Sequence, residues 1–171
     1  MPKRRARGSL CGMRTILAVL IVILAVAPVA AFDYANARFG YAIRIPDGFS
    51  GRGEADNGDG QAFVSADGTT KLRVYGGNNM QPDFELLAGY QAEFFDGQGW
   101  DIGYQRTTPS WASFSGERNR QILYVRIIAL CGGTQYATFE LTYPRTALEA
   151  MNAVVERLVG SLRSIGSSAS C

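Results

Sequence analysis

Two carboxylates stand where paired-carboxylate chemistry could be built: Asp101, beside Trp100, and Glu140, on the more polar face of an alternating segment. Held about 5–10 Å apart, such a pair does general acid and base work on a glycosidic bond. The sequence leaves their separation open. The chain has no histidine, which removes Ser-His-Asp and Cys-His nucleophilic sites and every imidazole metal site. Lys71, the only lysine beyond residue 31, lies in an alternating strand as a solvated residue does, and no Ser-Lys motif accompanies it. Asp56-Asn57-Gly58-Asp59-Gly60 has the composition of a calcium loop, but its third position is glycine and no glutamate closes a twelve-residue loop. It reads as a solvated turn. Gly97-Gln98-Gly99 lacks a phosphate-binding spacing. No catalytic residue, metal site or cofactor is therefore expected outside the Asp101 and Glu140 alternative. Trp100, Tyr104, Trp111, Tyr124 and Tyr136 are the aromatics able to line a groove between sheet and helix; core packing is the other role open to each.

The elements that would position these groups centre on residues 121–163. Gln121–Leu130 is rich in β-branched and aromatic residues with apolar side chains on both faces, as a covered strand requires. Cys131-Gly132-Gly133-Thr134 supplies a hairpin turn, its paired glycines suited to the positive φ of a two-residue connection. Gln135–Pro144 returns with Ala137, Phe139, Leu141 and Tyr143 on one face and Tyr136, Thr138, Glu140 and Thr142 on the other. Thr146, with Glu149 three residues on, predicts a capped helix start. The stripe Leu148, Met151, Val154, Val155, Leu158, Val159 and Leu162 predicts a helix packed on the hairpin.

Upstream, Asn36–Pro46 alternates as a first strand, and the glycine-rich Asp47–Gly60 reads as a loop. Asp67-Gly68 marks a hairpin inside residues 61–77. Pro82 and Asp83 open a helix over Phe84–Phe95, with Phe84, Leu87, Ala88, Gln91 and Phe94 along one side. Trp100–Arg106 and Trp111–Ser115 read as further strands. The fold class expected is α+β, an antiparallel sheet of about six to seven strands covered by two helices.

Residues 1–31 differ from the rest. Lys3, Arg4, Arg5, Arg7 and Arg14 precede or flank the apolar run Ile16–Val26, and Val29-Ala30-Ala31 resembles a signal-peptidase site. As a helix, Ile16–Ala31 spans about 24 Å, short of a hydrocarbon core of about 30 Å. A cleaved secretory signal is favoured over an uncleaved inner-membrane anchor. The expected organisation is a signal peptide at 1–31, one domain at 32–163 and a small-residue tail at 164–171. The whole chain carries a formal charge of +2, with 17 basic and 15 acidic residues. Five of the basic residues and none of the acidic ones lie in 1–31, leaving 12 against 15, or −3. No nucleic-acid footprint remains. Beyond the leader two cysteines are left, Cys131 and Cys171, and an oxidising compartment invites a disulfide between them. A helix of about 26 Å followed by a tail of similar reach lets residue 171 return to the turn. Two unpaired thiols are the other possibility.

The sequence Phe39-Gly40-Tyr41 up to Pro46, Asn57-Gly58-Asp59-Gly60, Ser65-Ala66-Asp67-Gly68, Leu72-Arg73-Val74-Tyr75-Gly76, Cys131-Gly132-Gly133 and Leu141-Thr142-Tyr143-Pro144 resembles small exported bacterial proteins of unknown function. Their strand–helix order is similar to the PsbP-like fold. The resemblance covers most of residues 36–163 and rests on turns and strand ends, so it implies a fold and assigns no functional residue. The expectation is an exported, periplasmic or secreted, non-enzymatic domain that binds a protein or small ligand and meets a membrane only through its N-terminal segment. A carboxylate-dependent exported hydrolase and an anchored envelope protein are the alternatives.

Overall fold

The computed structural model describes residues 30–166 and Cys171, so the expected leader lies almost wholly outside the described residues. The strands are β1 (Phe32–Asn36), β2 (Tyr41–Ile45), β3 (Phe49–Glu54), β4 (Gly60–Ser65), β5 (Lys71–Asn78), β6 (Asp101–Thr107), β7 (Trp111–Arg118), β8 (Gln121–Leu130), β9 (Gln135–Pro144) and β10 (Arg163–Ser164). The helices are α1 (Phe84–Gly97) and α2 (Leu148–Ser161). β3 to β9 form a seven-stranded antiparallel sheet in the order β3-β4-β5-β9-β8-β7-β6, and β1-β2-β10 form a second, three-stranded one. The chain enters at one edge and meanders to β5. It then crosses through α1 to the far edge and meanders back until β9 pairs with β5. The fold is an α+β sandwich.

Alternation divides the large sheet into two faces. On the first, the α2 face, Leu72, Val74, Phe139, Leu141 and Tyr143 pack with Tyr41, Ile43 and Ile45 of β2 and with Val154 and Leu158 of α2. On the other, the α1 face, Ala112, Phe114, Leu123, Val125 and Ile127 pack beneath Phe84, Leu87, Ala88, Ala92 and Phe95 of α1. Gly76 lets the small sheet approach: a Cβ there would stand 2.6 Å from the Phe39 side chain.

The central hairpin lies where its residue pattern places it, but its turn is longer than a two-residue loop. Leu130 pairs with Gln135, and residues 131–134 form a compact turn with Cys131, Gly132 and Gly133 at φ of 49°, 67° and 94°. The expected capping box at Thr146 is absent. Thr146 sits inside a single 3₁₀ turn, Arg145–Ala147, rather than in the extended conformation an N-cap needs, and α2 starts without a side-chain cap. α1 is capped by Asp83, whose carboxylate accepts from the Leu86 N–H at 2.8 Å.

Three other expectations are corrected. The expected strand Asn36–Pro46 is β2 over Tyr41–Ile45, and its first residue ends a separate strand, β1, because Gly40 at φ 62° and the Asn36 side chain, accepting from the Phe39 N–H, turn the chain between them. The glycine-rich loop contains β3, an exposed edge strand with a bulge between Gly51 and Glu54. Edge pairing through backbone groups needs few β-forming side chains there. In α1, Phe94 is 52 % exposed and Phe95 is buried, so the packing side is rotated from the one expected. Among the described residues no helix is long and apolar enough to cross a membrane.

Candidate functional site

α2 packs over β9 and part of β8, and the same sheet face runs on beside it through β7 and β6. Register fixes what lines that part. Glu117, Ser115, Ser113 and Trp111 of β7 stand opposite Ile122, Tyr124, Arg126 and Ile128 of β8. On β6, Asp101 pairs with Glu117, and then the register shifts between Ile102 and Tyr104. That bulge brings Tyr104 and Arg106 opposite Ser115 and Ser113, onto the α2 face. Gly116 permits it, since a Cβ there would meet the Asp101 carbonyl oxygen at 2.8 Å.

A groove of about 420 Å³ runs between this sheet surface and α2, floored by Ser115 and Tyr124 and walled by Leu148, Asn152 and Val155. One end is acidic, with Asp101 and with Glu117, which is ion-paired to Arg145. The Glu117 carboxyl is held below its ordinary value, chiefly by the hydrogen bond from Arg145. Beyond the groove, along the same sheet face past the Ser115–Tyr124 row, the Arg126 guanidinium carbon lies 4.0 Å from the Trp111 ring centre and that of Arg106 lies 5.4 Å from the same ring. Arg126 Nη1 donates to Ser113 Oγ at 3.1 Å, while its Nε is buried without a hydrogen-bond partner. Desolvation lowers the Arg126 pKa from its ordinary value, partly offset by the Tyr124 and Tyr104 phenols. Among the described residues neither arginine pairs with a carboxylate.

The structure places three of the five expected groove aromatics, Tyr104, Trp111 and Tyr124, on this sheet face, and of these Tyr124 lines the groove. The other two lie elsewhere. Trp100 is 5 % exposed in the core beneath α1, with the Arg118 guanidinium 4.6 Å from its ring centre. Tyr136 is on the α1 face in edge contact with Tyr75. Arg106 and Arg126 were not singled out by sequence reasoning. A cation in the middle of the apolar run Gln121–Leu130 was the available signal for Arg126.

The Asp101 and Glu140 pair does not form. Asp101 shares a face with Ile122 and Tyr143 through the ladder, whereas Glu140 alternates with Tyr143 and faces α1. Three strand spacings, about 14 Å, also separate them, beyond the range in which two carboxyls flank one glycosidic bond. Glu140, 8 % exposed, instead accepts from Arg73 Nη1 at 3.1 Å and from the Tyr75 hydroxyl at 2.6 Å. Burial, and then the Glu140 charge, raises the Tyr75 phenol above its ordinary value. Lys71 is an exposed residue of β5. Asp59 is ion-paired to Arg38 at 3.1 Å and bonded by Asn57 within its turn. Cys131 and Cys171 have their Cα atoms 5.4 Å apart, a disulfide distance.

No family model and no curated protein matches the sequence. Solved structures do. The chain is similar to cyanobacterial PsbP (CyanoP) from Synechocystis sp. PCC 6803, with a TM-score of 0.61 and 12% identity over 85% of this chain and 98% of that one. It is also similar to the Ran-binding protein Mog1p of Saccharomyces cerevisiae, at TM-score 0.56 and 11% identity over 80% and 96% of the two chains. A point mutant of Mog1 gives a TM-score of 0.58 at 11% identity, over 81% and 97%. At such identities the likeness establishes a PsbP-like fold and leaves function to the site.

Proposed function

We propose that the chain is an exported, non-enzymatic binding domain that engages a protein partner through the groove beside α2. The observation that carries this is the collection of Tyr104, Trp111, Tyr124, Arg106 and Arg126 on the open part of one sheet face. Tyrosine, tryptophan and arginine dominate the energetics of protein interfaces because each buries much surface and keeps a polar group to orient the contact. A similar fold carries a protein-binding role in Mog1p, by its description. Export rests on the basic and apolar pattern of residues 1–31 and on the cysteine pair.

A photo-crosslinking side chain placed at Ser115, inside the groove, and another at Lys71, on the opposite face, test the site in the native host. The Ser115 position is expected to yield a discrete crosslinked partner and the Lys71 position none. Crosslinking from Lys71 with a silent groove would move the interface to the other face and end this reading. Intact mass of the same protein tests export: a mature N-terminus near Phe32 is expected, and retention of residues 1–31 would favour an anchored form.

A further inference from the structure

The groove and the sheet face that continues it past Tyr124 have a direction. From the Glu117–Ile122 row to the Ser113–Arg126 row is four residues along the strands, about 13 Å, and it runs from acidic through aromatic to cationic. The cationic end is incomplete as it stands. Two guanidinium groups share one indole, and no acidic residue among those described balances them. Arg126 is half-buried with one donor nitrogen unpaired, and its ordering costs desolvation that Ser113 only partly offsets. A guanidinium held this way against an aromatic ring is preorganised for a planar oxyanion, which it binds through parallel N–H donors. Glu117 cannot supply that anion, being tied to Arg145 at the far end. Glu140 cannot, because it faces the other side of the sheet.

We propose that Arg126, with Trp111, Ser113 and Arg106, forms a carboxylate-binding subsite that seats an acidic side chain of a partner segment lying along the groove and the sheet face that continues it. This rests on the groove being a protein-binding surface and adds the class of partner, an apolar and aromatic segment of about four residues followed by a carboxylate. The acidic end at Asp101 disfavours the reverse orientation.

Chemical-shift titration of the isotopically labelled full chain tests it. The probes are a capped hexapeptide of four apolar residues followed by two glutamates, the same peptide ending in two glutamines, the glutamine peptide with a free C-terminus, and inorganic phosphate. Both capped peptides are expected to move the Ser115 and Tyr124 amides. Only the glutamate peptide should move the Arg126 Nε–H and the Trp111 indole N–H, binding about tenfold more tightly. Arg126→Lys should erase most of that preference, and the exposed Arg106→Gln should reduce it several-fold without affecting the fold. The free-terminus glutamine peptide is expected to bind as weakly as its capped form, and its matching the glutamate peptide would overturn the assignment to a side-chain carboxylate. Equal affinity of the two capped peptides, with Arg126 Nε–H unmoved, overturns the subsite and leaves the groove reading standing. Phosphate binding as tightly as the glutamate peptide overturns the assignment to a carboxylate. Silence of Ser115 and Tyr124 with every peptide removes the groove reading, and the subsite with it.

Discussion

Tyr41 is fully buried, and its hydroxyl donates to the Asp59 carbonyl at 3.0 Å. Burial is the first cause holding this phenol well above its ordinary value, and the Tyr34, Tyr75, Tyr136 and Tyr143 phenols are raised for the same leading reason. The consequence for stability has a definite sign. The unfolded chain releases these protons near the ordinary tyrosine value of about 10 while the folded chain keeps them, so stability is intact below about pH 10 and falls as pH rises further. With no histidine in the chain, no side chain has its ordinary value between about pH 5 and 8. The urea midpoint, followed by circular dichroism, is expected to be flat from about pH 6 to 9 and to drop above about pH 10. Each such phenol contributes up to about 1.4 kcal/mol per pH unit, and Tyr41→Phe should reduce the slope by one of them. An unchanged midpoint at pH 11 would mean these phenols titrate alike in both states. At this scale the sequence was least informative: it showed that Arg126 interrupts an apolar run, but not that Trp111 and Arg106 would meet it.

Among the elements, α1 separates what pattern reveals from what it conceals. Its start is legible in Asp83, yet adjacent apolar residues near its end misplaced the packing side. Phe94 and Phe95 satisfy different three- and four-residue rows, and only the sheet beneath decides between them. Leu86 and Leu87 are another adjacent apolar pair, of which the sequence pattern selected Leu87, and they give a direct measurement. Leu87 is buried against the α1 face, while Leu86 is 52 % exposed. Leu87→Ala is expected to cost about 2–4 kcal/mol and Leu86→Ala less than about 0.5 kcal/mol, read from urea unfolding. The reverse order would place the packing face on the Leu86 side, against both the sequence pattern and the structure. The β8–β9 hairpin was legible because both strands are long and alternate cleanly. β3 was not, because an edge strand held by backbone bonds carries Ser50, Gly51, Arg52 and Gly53 where β-formers would stand. The β6 bulge was also beyond reach. A one-residue shift in register leaves composition untouched but turns Tyr104 and Arg106 onto the face that makes the groove.

At the scale of the whole molecule the two ends of the last quarter of the chain come together. β9, α2 and β10 lie between Cys131, in the β8–β9 turn, and Cys171, 40 residues later. α2 carries the chain back over the sheet, and β10 pairs with β2 through Arg163 opposite Ala42 and Ser164 opposite Tyr41. This leaves the two Cα atoms at 5.4 Å, inside the range that a bridge spans without backbone movement. We propose that the protein carries this bridge in an oxidising compartment. Closing a loop of 40 residues removes freedom mainly from the unfolded chain and is worth about 4 kcal/mol in the chain-entropy model. The loop includes Leu148 and Val155, which wall the groove, so the bridge bears on the site as well as on the fold. Peptide mapping of the native protein without reductant is expected to recover the Cys131 and Cys171 peptides as one linked species. Cys171→Ser, or reduction, should then lower the unfolding free energy by about 2–4 kcal/mol. Two freely alkylated thiols in protein taken from an oxidising compartment would refute the bridge. Stability would then rest on the packing of α2 and β10 against β2 alone, and Cys171→Ser would leave the urea midpoint where it was.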